Sequence, residues 1–114
     1  MPRFNQEGFA AWRMDGQRGV FESRRQLRLE GLRIVIFDGS ETGHATLHLR
    51  AESARVDLER EFAHSEGGAE VDGEGFRGRG EDWEWNGAEG RVILKRDVRF
   101  DFDAKFLQPN RTSP

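Results

Sequence analysis

The sequence contains no cysteine. That excludes disulfides, thiolate metal sites and a cysteine nucleophile. Proline is also scarce, with three residues against fourteen glycines. Such a balance suits a turn-rich β protein rather than a disordered chain. Long apolar runs are missing. The longest, Phe9 to Trp12 and Ile34 to Phe37, fall far short of a signal-peptide core or a membrane span. The chain as given therefore reads as soluble. No charge sign dominates: the net charge is −3 and the signs are interspersed. There is no basic block to suggest nucleic acid and no acidic tail.

What is present fits one small domain. A length of 114 residues suits a single hydrophobic core. Residues 1–106 are expected to form it, with 107–114 as a frayed tail. Charged residues make up 34% and apolar ones 35%. That is enough apolar material for one face of each strand, not for strands buried on both sides.

The clearest pattern runs from Phe76 to Phe102. Phe76, Gly78 and Gly80 alternate with charged residues, the phase slips by one, and alternation resumes at Trp83 and Trp85. Asn86 to Gly90 supplies a turn, since Asn and Gly tolerate positive φ. The second arm reads Ile93, Lys95, a slip, then Val98, Phe100 and Phe102. Period-two alternation places one set of side chains on one sheet face, and a slip suggests a bulge.

The pattern occurs twice earlier. Trp12-Met14-Gly16-Gly19-Phe21 and Leu47-Leu49-Ala51-Ala54-Val56 share the offsets of the first arm. Leu27-Leu29-Leu32-Ile34-Ile36 and Phe62-His64-Gly67-Ala69-Val71 share those of the second. Three diverged hairpins, repeating at about thirty residues, predict a stacked all-β architecture. The middle copy is the weakest, with His64 and Gly67 at inward positions. Ala45 to Phe62 also fits a helical stripe and contains good helix formers, but its sister arms favour strand. Pro2 to Glu7 reads as a polar lead-in, Asp38 to Gly43 as a loop, and Ser65 to Gly68 as punctuation before a short strand over Ala69 to Gly73.

The segments PRFNQEGFAAWRMDG, HLRAESARVDLE and GEGFRGRGEDWEWNGAEGRVILKRDVRFDF resemble the LptC/LptA (OstA-like) family of lipopolysaccharide-transport proteins. The resemblance spans about Pro2 to Phe102. It implies a V-shaped β-jellyroll, a folded taco whose apolar interior carries lipopolysaccharide acyl chains. It also implies a non-enzymatic role in outer-membrane biogenesis, in the periplasm of Gram-negative bacteria. Members join head-to-tail through sheet edges. LptC-like members carry an amino-terminal inner-membrane helix, which this sequence lacks, so a trimmed domain or an unanchored relative is expected. No catalytic residue, metal or cofactor is implied.

The inward residues expected to line a lipid groove are Trp12, Met14, Phe21, Leu29, Ile34, Ile36, Leu47, Leu49, Val56, Val71, Phe76, Trp83, Trp85, Val98 and Phe100. Taken singly, each reads first as ordinary core. Strands of roughly ten residues are about 33 Å long, enough to line an acyl chain. Burying a twelve-carbon chain gains about 10 kcal/mol gross, at about 0.8 kcal/mol per methylene. Unpaired edge strands would accept a neighbouring module. Arg77, Arg79, Arg91, Lys95 and Arg96 read as a solvated face, with lipid phosphates at a groove rim as the alternative. The rival function is a β-sandwich or solenoid that only mediates protein contacts. Burial of Trp12, Trp83 and Trp85 in a closed core would favour that rival.

Other motifs carry less. Gly73 to Gly78 matches G-x-G-x-x-G, but no helix is expected to follow. His44 and His48 share a face only on a helix, and strand is expected there. The carboxylate pairs Asp101/Asp103 and Glu81/Asp82, and Ser40 near His44, have no context that isolates them for catalysis.

Overall fold

The computed structural model describes residues 2–103. The expected tail, 107–114, lies outside them. The described chain is all-β, 72% strand, with no helix. The strands are β1 (Pro2–Phe4), β2 (Ala10–Asp15), β3 (Arg18–Phe21), β4 (Gln26–Phe37), β5 (Ala45–Asp57), β6 (Phe62–Gly73), β7 (Phe76–Asn86) and β8 (Arg91–Phe102). They form one antiparallel sheet in the order β1-β2-β4-β5-β6-β7-β8, with β3 also on β4. The three expected hairpins are β2/β3–β4, β5–β6 and β7–β8, side by side.

Local chemistry explains the turns. Asp38 Oδ1 accepts from Ser40 N (2.9 Å) and Ser40 Oγ (2.7 Å), which orders the β4–β5 loop. The Ser40 hydroxyl, foremost, holds the Asp38 carboxyl below its usual range. Gly31 lies in β4 at φ +66°, where the strand slips phase between Leu29 and Leu32. The helical stripe read over Ala45 to Phe62 is overridden because β4 and β6 pair with residues 45–57 along both edges, and Phe62 opens β6.

Some expectations shift. Pro2–Phe4, read as a lead-in, is a strand on β2. Ser65 to Gly68 does not break the chain, and β6 runs twelve residues through it with a bulge. There Ala63 faces inward and Phe62 and His64 do not, since Ala63 stands between inward Val56 and Trp85. In β8, Val92 and Leu94 face the core, in register with Trp85 and Trp83. Ile93 and Lys95 lie on the outer face, where Lys95 bonds Glu84. Both β6 and β8 keep one phase throughout, whereas β4 slips.

The sheet buries one face by folding over itself. Trp12 on β2 and Trp85 on β7 have three strands between them in the sheet, yet their rings meet edge to face with centroids 4.8 Å apart. Trp12 aligns across the sheet with Ile36, Leu47 and Phe76 at one end. Trp85 aligns with Ala63, Val56 and Leu27 at the other. The contact therefore joins diagonally opposite corners. Trp12 Nε1 donates to Glu61 Oε1 (3.1 Å), and Arg3 pairs with the other carboxylate oxygen (3.4 Å). Gly87 fits beneath: a Cβ there would stand 2.7 Å from the Trp85 ring and 2.9 Å from Trp12 Nε1. Burying two indoles of about 200 Å² each gains on the order of 10 kcal/mol gross.

Two stability changes follow. Glu61→Ala leaves the Trp12 N–H and Arg3 without their acceptor, and chemical denaturation should show a loss of about 1–2 kcal/mol. Asp97, exposed at φ 51°, occupies backbone that glycine adopts without strain. Asp97→Gly should raise stability by up to about 1 kcal/mol in the same assay.

Candidate functional site

The expected groove residues divide into a closed and an open region. Trp12, Met14, Leu29, Ile34, Leu49, Val56, Val71, Trp83 and Trp85 are buried in one core, joined by Leu32, Ala54, Ala63 and Ala69. Ile36, Leu47 and Phe76 are half-buried against it. Phe21, Val98 and Phe100 are exposed, at 64%, 44% and 42%. All three tryptophans thus sit in a closed core, and the indole N–H groups of Trp83 and Trp85 have no acceptor.

The open region lies at one of the two corners that the diagonal contact does not close. Phe76, Phe100 and Phe102 cluster there, with centroids 6.0 to 6.2 Å apart. They align with Trp12 and Met14 along the cross-strand rows, on the inner face. Glycine makes the cluster possible. A Cβ on Gly78 would come 2.3 Å from the Phe100 ring, and one on Gly73 2.2 Å from the Phe76 ring. Each ring lies across the bare backbone of the neighbouring strand. Phe102, 46% exposed, and Val98 extend the apolar surface along β8. Phe21 occupies the opposite corner, over Leu27. Sequence reasoning named Phe76, Val98 and Phe100 for the groove and left out Phe102, although its place in the alternation carried the signal.

β8 is an edge strand that pairs only with β7 among the described residues. Along it Lys95 is tied to Glu84 and Arg96 to Glu81 (3.2 Å). Those hydrogen bonds, above all, raise both cations' pKa values. Of the other expected rim cations, Arg77 pairs with Asp72 (2.9 Å) and Arg91 with Glu89 (3.0 Å), and Arg79 has no ion-pair partner among the described residues. The glycine motif at Gly73 to Gly78 forms the β6–β7 turn and the start of β7. His44 lies in a loop and His48 in β5. Among the described residues there is no group of three or more His, Cys, Asp or Glu placed to hold a metal, and no helix long and apolar enough to cross a membrane.

Compared with curated proteins, the chain matches none. A family model described as lipopolysaccharide-assembly, LptC-related, matches residues 2–103, almost the whole chain. Proteins of this family serve lipopolysaccharide transport in the periplasmic bridge and are generally non-enzymatic. An all-β sheet folded on its apolar face agrees with the β-jellyroll that the resemblance implies. The chain belongs to the LptC-related family of lipopolysaccharide-assembly proteins.

Proposed function

We propose that this domain is a non-enzymatic lipopolysaccharide-transport module of the periplasm that holds acyl chains against its inner face. We place their first contact at the open corner formed by Phe76, Val98, Phe100 and Phe102. The observation that carries this reading is an exposed aromatic cluster continuous with the buried core, in a chain whose family serves lipopolysaccharide transport. The core around Trp83 and Trp85 is already filled. Acyl chains therefore lie at the corner, or enter the interior only as the two halves of the sheet part. A partly open site limits the hydrophobic gain per chain, which suits a carrier that must release its cargo. The free edge of β8 would accept a strand of a neighbouring module and continue the apolar surface across the junction.

Burial of the three tryptophans favours a second reading, a module that contacts proteins alone. Photo-crosslinking in cells that make lipopolysaccharide separates the two. A photoreactive residue in place of Phe100 should crosslink to lipopolysaccharide, and one in place of Ile93, on the outer face of the same strand, should not. Crosslinks from Phe100 to protein alone would select the second reading. Phe100→Arg should weaken lipopolysaccharide binding by about tenfold or more in a direct binding assay, as an apolar contact is replaced by a charge.

A further inference from the structure

The outer face carries a feature that the lipid reading does not use. A trough of about 820 Å³ crosses β4 to β8. Its floor is the backbone at Leu32, Ala51, Ala69 and Gly80, whose side chains belong to the inner face. Along one wall the pairing register sets Arg33, Arg50, Glu70, Arg79 and Arg99 in a single cross-strand row. Arg33 directly faces Arg50, and Arg79 directly faces Arg99.

Like charges directly opposite on neighbouring strands destabilise a sheet. Elsewhere this chain neutralises such a pair. Arg28 faces Arg55, and Glu22 bridges both, at 4.0 and 3.6 Å. Arg50 is likewise held by Glu70 (3.1 Å) and Asp72 (2.9 Å). Arg79 and Arg99 have no ion-pair partner among the described residues. The trough's acids do not supply one: Glu70, opposite Arg79 in the register, pairs with Arg50 instead, Glu81 bonds Arg96, and Asp97 lies beside Arg96. Glu52 is the remaining carboxylate of the lining, on the β5 strand away from β8.

We infer that the outer trough is an anion site in which a phosphate group bridges Arg79 and Arg99, as Glu22 bridges Arg28 and Arg55. Guanidinium groups pair with phosphate oxygens in a fork geometry, which selects a phosphate over a monovalent halide. The concave wall provides room for the rest of a phosphorylated ligand. The site stands on the opposite face from the aromatic corner, so it holds whether or not lipid binds inside.

Thermal unfolding at low ionic strength, where screening is weak, tests the inference. Inorganic phosphate should raise the wild-type Tm saturably, by several degrees at about ten times its Kd. Chloride at matched ionic strength separates this from general screening. Arg79→Gln should abolish the saturable rise and, without phosphate, raise Tm by relieving the opposed charges. Arg28→Gln should keep the response. Vesicles containing phosphatidic acid, compared with phosphatidylcholine alone, distinguish a lipid source of the phosphate: wild-type cosedimentation lost in Arg79→Gln assigns it to lipid, and phosphate binding without cosedimentation assigns it to a soluble ester. An identical phosphate response in wild type and Arg79→Gln, or no saturable response in wild type, would overturn the site.

Discussion

The structure depends on the contact between Trp12 and Trp85. A single antiparallel sheet with one apolar face cannot bury that face without a second layer. This chain supplies no helix among its described residues, so the sheet must serve as its own cover. The edge-to-face indole contact, fixed by Glu61 and given space by Gly87, is where the two halves meet. Because it joins diagonal corners, closure at one pair leaves the other pair apart. The exposure of Phe21 and of the Phe76–Phe102 cluster follows from that geometry rather than from weak packing.

The distribution of small residues supports the same view. Ala51, Ala69 and Gly80 lie in one cross-strand line at the middle of the sheet, where the pairing register shifts. Bulges increase local twist, and small side chains let the strands bend there. The twist brings the Trp12 end of β2 over the Trp85 end of β7. Bulky residues are kept for the closed corner and the open aromatic corner, at opposite ends of β7.

Much of this was legible in the sequence. Alternation in β7, with its slip before Trp83, located both arms of the last hairpin, and its echoes located the other two. The errors have a common cause. Phe62 and Ile93 are large and apolar, so they drew the inward assignment from Ala63 and Val92. The space opposite Trp85 admits an alanine, and volume there outweighs hydropathy. The strand at residues 45–57 could not be told from a helix by its own residues, since pairing on both edges decides it. The diagonal contact and the row of opposed arginines depend on register and twist, which no local pattern encodes.

The most direct test of the account is tryptophan emission during a lipopolysaccharide titration below its aggregation concentration, in wild type and in Phe100→Trp. The native tryptophans are 0–6% exposed. The account predicts little change in wild type, and a saturable blue shift from the new indole at the open corner, absent with lipid-free polysaccharide. A saturable blue shift in wild type with a silent Trp at position 100 would contradict it, placing the lipid at the closed end instead.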